Sequence, residues 1–214
     1  TEAERQLCRS VFGRFLAPNS IVGCGIEMAP EAEWSGVKAK YELPDEYVLY
    51  LGRVSKAKVD KLLPYFLRCK AKYGGDAKLV LVGGFENEIR KFDSPDILFT
   101  GYVSDEEKTA IVRHATVMVN PSPMESLSLL MLEGMQSRIP LLVNGRSKVM
   151  KDHCRLSGAG LWYNNGRDFR KKLHRLLSDP ELRRTMSEKG PAYVREHYDW
   201  EIIIPKLRTL IESI

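Results

Sequence analysis

Two carboxylates, Glu125 and Glu133, stand with seven residues between them where a loop gives way to a helical pattern. A carboxylate can accept two hydrogen bonds from a vicinal diol such as a ribose. Glu133 lies in a run of Leu and Met, where a bare carboxylate is costly without a partner. Between the two acids, Ser126, Leu127, Ser128 and Leu129 are expected to open the helix, with Ser126 as its N-cap. Their free backbone N–H groups suit a phosphate. Two cations, Arg53 and Lys58, follow another apolar run and are expected just past a strand end, where ligands bind in open parallel sheets. Each residue also has a plainer reading. Glu125 can be a solvated loop acid, Glu133 can lie on the wet face of its helix, and solvated loop charge is the commoner fate of Lys and Arg.

Chemistry of this kind needs strands to bring the loops together. Tyr47-Val48-Leu49-Tyr50-Leu51 is a continuous apolar run, as expected of a strand covered on both faces. Lys78–Val82, Asp96–Thr100, Ala115–Val119 and Ile139–Val143 read as further strands, and Gly160–Tyr163 as a last short one. Helices are expected between them. One runs from about Asp60 to Tyr73, with Pro64 near its start, where the missing N–H costs least. A short one covers Phe85–Lys91, and another is opened by the capping box Ser104-Asp105-Glu106-Glu107 and runs to His114. Then come the helix after Glu125 and three at the end, Asp168–Leu177, Pro180–His197 and Trp200–Ile211, with Gly190-Pro191 breaking or kinking the middle one. Before the first strand, residues 1–16 read as a helix, Ser20–Ile26 as a short strand ending in glycines, and 29–45 as a Pro- and Glu-rich linker. Alternating strands and helices specify an α/β fold, a doubly wound parallel sheet. We divide the chain into 1–45, a remnant and linker, and 46–214, a Rossmann-like domain.

The 214 residues suffice for one domain with a good core. No apolar run reaches the length of a membrane span. The polar, acidic start has no signal-peptide character and lacks Met, which suits a fragment or a processed form. Cys8, Cys24, Cys69 and Cys154 form no Cys-x-x-Cys pair, so neither a zinc ribbon nor a thioredoxin-like site is expected, and scattered thiols suit the cytoplasm. The four histidines are scattered too, and His153-Cys154 builds no metal site; these two residues are expected to pack or face solvent. The net charge of +5 fits a surface rich in Lys and Arg, a phosphorylated ligand, or contact with an anionic membrane. There is no low-complexity basic tract, so nucleic acid is not favoured. Gly23-Cys24-Gly25 lacks the third glycine of a dinucleotide fingerprint.

Pro121-Ser122-Pro123-Met124-Glu125, then Glu133-Gly134-Met135 and Pro140, resembles the Glu-x7-Glu motif of family 4 (group 1) retaining glycosyltransferases, which have the two-domain GT-B fold. The resemblance runs from about Tyr47 to about Glu212. Here Ser137-Arg138-Ile139 precedes the proline, without the glycine usual in that family. The family's first C-terminal strand ends in Gly-Arg-x-x-x-x-Lys, matched by Gly52, Arg53 and Lys58, with Val59 where Gly or Asn is usual. The resemblance implies the C-terminal half of a GT-B enzyme moving a sugar from a nucleoside diphosphate donor to a hydroxyl, with retention and with no metal and no cofactor. Arg53 and Lys58 would hold the diphosphate and stabilise it as a leaving group. Glu125 would contact the donor sugar, and Glu133 the ribose. Gly83 resembles the family's glycine turn, against an ordinary tight turn. Tyr102 and Val103 resemble the turn that contacts the base, and Tyr102 would stack on it or pack on the next helix. The sugar, lipid or glycan acceptor would lie largely on a domain beyond this piece, so the piece alone is expected to turn over little or nothing. The implied place is the cytoplasm, with membrane association through the full-length enzyme, in polysaccharide or glycolipid synthesis. Two readings compete: an NAD-dependent oxidoreductase domain and a non-catalytic nucleotide-binding scaffold domain.

Overall fold

A computed structural model describes residues 1–15, 19–86 and 94–212. Its elements in chain order are α1 (Glu2–Phe12) with a 3-10 turn (Gly13–Phe15), α2 (Trp34–Lys40), β1 (Tyr47–Leu51), α3 (Lys56–Val59), α4 (Leu62–Tyr73), β2 (Lys78–Val82) and β3 (Ile97–Gly101). Then follow α5 (Asp105–Arg113), β4 (Val117–Asn120), α6 (Leu129–Gln136), β5 (Leu141–Asn144), α7 (Lys148–Ser157), β6 (Gly160–Tyr163), α8 (Gly166–Ser178), α9 (Pro180–Tyr198) and α10 (Trp200–Glu212). The six strands form one sheet in the order β3-β2-β1-β4-β5-β6, and every pairing is parallel. The expected doubly wound α/β sheet is therefore the one observed.

Alternation along buried strands explains the continuous apolar runs. Tyr47 and Leu49 of β1 point into one core with Met118, Leu141, Met131, Met135 and Tyr193. Val48 and Tyr50 point into a second core with Leu79, Val119, Leu62, Phe66, Phe169 and Leu173. The sheet is thus covered on both faces, as a parallel sheet requires.

Several sequence expectations are corrected. The 20–26 stretch joins no strand. It runs along the C-terminal helices, where the Ile26 N–H donates to the Tyr198 carbonyl at 2.9 Å. Gly25 lies so close beneath the Trp200 ring that a Cβ would come within 2.2 Å of it. The linker read over 29–45 contains α2, capped by the Glu33 carboxylate on the Ser35 and Gly36 N–H groups. This helix is held to α5: Tyr41 donates to Glu107 at 2.8 Å, Lys40 pairs with Glu107 at 2.6 Å, and Trp34 stacks on His114 at 3.9 Å. Helix α7 was not anticipated, although Ser147 as N-cap and Val149, Met150, His153 and Cys154 on its buried face carry a helical signal. His153 and Cys154 do pack: both are buried, His153 bonds the Tyr193 hydroxyl at 2.9 Å, and burial holds its imidazole down at about 4. Helix α9 is not broken at Gly190-Pro191: it continues to Tyr198, packed so closely on α6 that a Cβ on Gly190 would stand 2.5 Å from the Met135 carbonyl oxygen. The helix expected over 85–91 falls mostly outside the described residues. Its first residue, Phe85, forms a parallel bridge with Val54.

Candidate functional site

Strands β1 and β4 are neighbours at the centre of the sheet, and the connections from their carboxyl ends run to opposite sides, towards β2 and β5. This is the topological switch point, where a doubly wound sheet opens a crevice. Two adjoining cavities occupy it, of about 490 Å³ and about 260 Å³, and they share Leu51, Gly52, Arg53 and Leu130.

The floor is the end of β1. Gly52 and Val54 continue the ladder by donating to the Val82 and Gly84 carbonyls, both at 2.9 Å, so the segment carrying Arg53 is fixed as if it were strand. Tyr50 adds a third tie: its hydroxyl donates to the Arg53 carbonyl at 2.9 Å. Burial, with the Glu125 charge adding, pushes that phenol up to about 12, so it stays a donor across the neutral range. At Gly83 the φ is +130°, and a Cβ would stand 2.3 Å from the Gly52 carbonyl oxygen. The ends of β1 and β2 approach so closely because residue 83 is glycine.

The opposite wall is the 120–130 loop. Asn120, at the end of β4, accepts from the Ser122 N–H at 3.0 Å and donates to the Ser128 hydroxyl at 3.1 Å. Asn144, at the end of β5, donates to the Pro121 carbonyl at 2.9 Å. Ser128 has φ +64°, a left-handed conformation rare for a residue with a side chain and a form of strain that clusters at binding sites. The expected Ser126 N-cap is corrected: Ser128 caps α6, which begins at Leu129, and makes no side-chain cap bond. The helix starts later because the backbone must first turn through that left-handed residue. The first amides bonded into the helix are those of Met131 and Leu132, on the Ser128 carbonyl. The N–H groups of residues 126–130 make no hydrogen bond among the described residues.

The larger cavity gathers Arg53, Lys58, Glu125, Ser126, Leu127, Ser128 and Leu129 together with Gly52. Arg53 and Lys58 are exposed. Lys58 lies 3.9 Å from the Glu125 carboxylate and donates to the Ser122 hydroxyl at 3.4 Å. The smaller cavity gathers Gly83, Gly84, Tyr102, Val103 and Lys108. Tyr102 is 87% exposed, so it does not pack on the following helix, and its ring lies over Gly84, where a Cβ would come within 2.5 Å of it. Glu133 lines neither cavity. Its Oε1 pairs with Lys108 at 3.3 Å, and its Oε2 is buried without a partner. Lys108, Asn120, Tyr50 and Ser122 were not singled out from sequence. Lys108 had a signal, as the one cation in the acidic start of a capping-box helix, and Asn120 had one as the polar end of an apolar strand.

The arrangement sets two cations beside a loop whose five amides, 126–130, make no hydrogen bond among the described residues, with one carboxylate beside them and an exposed aromatic ring at the far end. It suits a ligand with a multiply charged centre and a flat end. Among the described residues no cluster of three or more His, Cys, Asp or Glu could hold a metal ion, and no helix is long and apolar enough to cross a membrane.

A sequence profile described as "Glycosyl transferases group 1" matches residues 36–193. The alpha-D-kanosaminyltransferase of Streptomyces kanamyceticus is 30% identical over 174 residues, covering 75% of this chain and 44% of that protein. The sucrose-phosphate synthase structure from Thermosynechococcus elongatus superposes with a TM-score of 0.78 at 20% identity, covering 99% of this chain and 56% of that one. The structure of Anabaena Alr3699/HepE in complex with UDP and glucose gives a TM-score of 0.69 at 13% identity, covering 84% of this chain and 52% of that one. The chain spans less than half the length of the curated relatives it matches first.

Proposed function

The chain belongs to the group 1 glycosyl transferases, and from that premise we propose that it is the donor-binding C-terminal half of a retaining enzyme that moves a sugar from a nucleoside diphosphate to a hydroxyl. On this reading residues 46–214 form the donor domain, and 1–45 are what precedes it. The observation that carries the proposal is the convergence of Arg53, Lys58 and the unbonded N–H groups of residues 126–130 on one cavity at the switch point. Charge-assisted hydrogen bonds from these groups neutralise a diphosphate in the ground state and stabilise it further as it leaves. Glu125, held beside Lys58, faces the donor sugar. Tyr102 and Val103 receive the base in the smaller cavity. Lys108, on the wall of the smaller cavity, holds Oε1 of Glu133; Oε2 is buried, and it accepts from a ribose hydroxyl once the Glu133 side chain turns towards that cavity. The acceptor, a sugar, lipid or glycan, is bound largely by a part of the enzyme outside this chain. Alone, the chain binds the donor and turns over little or nothing. The setting we infer is the cytoplasm.

A panel of nucleotides tests the reading. UDP, GDP or ADP should raise the thermal midpoint, by an amount equivalent to about 2.7 kcal/mol at a hundredfold excess over Kd, while NAD should leave it unchanged. A shift with NAD alone would instead place the chain among oxidoreductase domains.

Glu133→Gln separates a ligand-binding carboxylate from a structural one. Glutamine keeps an acceptor for Lys108, which also has Asp105 at 3.3 Å. The variant should therefore keep its melting temperature, lose affinity for a ribonucleotide, and lose much less for the 2′-deoxy analogue. A sharp fall in the melting temperature without ligand would make Glu133 a buried partner of Lys108 and nothing more.

A further inference from the structure

Helices α4 and α8 lie side by side over the second core. Three contacts join them in one register: Tyr65 against Gly166, the Cys69 thiol to the Arg170 carbonyl at 3.6 Å, and the Tyr73 ring stacked on His174 at 4.0 Å. Each pair is separated by the same step in sequence, so the helices run parallel and present one joint outer face, about 18–20 Å long at 1.5 Å per residue.

That face concentrates the positive charge of the chain. Together α4 and α8 carry eight Lys and Arg against a single acid, Asp168, and Lys61 stands at the N-cap of α4. Outside the two helices there remain 25 Lys and Arg against 27 Asp and Glu, so a chain of net +5 would be net −2 without them. Asp168 is already held by Lys172 at 3.0 Å, and the nearby Asp96 by Lys70 at 3.1 Å. Lys61, Arg68, Lys72, Arg167, Lys171 and Arg175 are exposed, and none of them pairs with an acid among the described residues. A solvated face that served only solubility would mix both signs, as α9 does with Glu181, Arg184 and Glu188.

We propose that the joint outer face of α4 and α8 docks on an anionic phospholipid bilayer, with its unpaired cations among the headgroups. Clusters of four to eight Lys and Arg on a helical surface bind acidic lipid headgroups by charge. Neither helix exposes a large hydrophobic side chain, so attachment is electrostatic and does not depend on insertion. A nucleic acid fits less well. No aromatic ring on the face is free to stack on bases, since Tyr73 and His174 stack on each other, and two helices side by side, each about 10 Å across, make a face too broad for a major groove about 12 Å wide. The surface is independent of the cavity at the switch point.

Vesicle co-sedimentation tests the proposal. The chain should bind phosphatidylcholine vesicles that contain phosphatidylserine and ignore phosphatidylcholine alone. Binding should collapse between about 0.1 M and 1 M salt, as the screening length falls from about 10 Å to about 3 Å. The triple variant R68Q/K72Q/K171Q should bind roughly a hundredfold more weakly, at about fivefold per charge removed. The charge-matched control R155Q/R195Q/R208Q should bind as the parent does, and both variants should keep the parent's melting temperature. Equal losses in the two triple variants, or equal binding to uncharged vesicles, would overturn the proposal. So would tighter binding of a short RNA or DNA duplex than of vesicles at the same salt, if lost in the first triple variant.

Discussion

Replacing Arg53 and Lys58 together by alanine should weaken nucleoside diphosphate binding by roughly two to four orders of magnitude while leaving nucleoside binding nearly intact. Each cation gives a charge-assisted hydrogen bond worth about 1.5–3 kcal/mol. Both side chains are exposed at the mouth of the larger cavity and lie outside the two cores, so the fold does not rest on them. Arg53 is held through its backbone, by the Tyr50 hydroxyl on its carbonyl and by the ladder bonds of Gly52 and Val54, and alanine keeps all of these. The Lys58 partners are also loose, at 3.4 Å and 3.9 Å; without the ammonium, Ser122 keeps its bond to the Met124 carbonyl at 2.8 Å, and Glu125 is partly open to water. Titration calorimetry with a nucleoside diphosphate and its nucleoside reads the difference. Equal losses for the two ligands would mean that the cations support the loop and not the phosphates.

Gly83→Ala should cost about 3 kcal/mol or more of stability and remove nucleotide binding with it. Two effects combine. A side chain at φ +130° is strained by about 1–3 kcal/mol. Its Cβ would also stand 2.3 Å from the Gly52 carbonyl oxygen, a backbone atom that can yield only by separating the ends of β1 and β2. That movement would carry the Arg53 segment away from the 120–130 loop. Gly84→Ala is the natural comparison. The three atoms nearest its Cβ all belong to the exposed Tyr102 side chain, the closest at 2.5 Å, and that ring can swing into solvent. Gly84→Ala should therefore leave the melting temperature close to the parent's and weaken nucleotide binding through the displaced ring. If the two variants melt alike, the close approach of β1 and β2 is not what requires Gly83.

Much of the fold follows from local sequence. Continuous apolar runs such as Tyr47–Leu51 and Leu79–Val82 can be satisfied only between two covered faces, and the capping box at Ser104 fixes where α5 begins. Residue types at strand ends marked Arg53, Lys58, Glu125 and the Gly83 turn as candidates, because a parallel sheet exposes those ends to ligand. What sequence did not settle depends on partners distant in the chain. The 20–26 stretch has strand-like residues, yet a strand needs an open neighbour, and the Tyr198 carbonyl and the Trp200 ring claimed it instead. Gly190-Pro191 reads as a breaker locally, but α9 continues to Tyr198, with Gly190 packed on the α6 backbone. The start of α6 moved from Ser126 to Ser128 because Asn120 holds a left-handed residue there, a bond across eight positions that no helical pattern records. Glu133 shows the same division most clearly. Its apolar setting already required a partner, but only the fold could bring Lys108 to one of its oxygens and leave the other buried and unbonded.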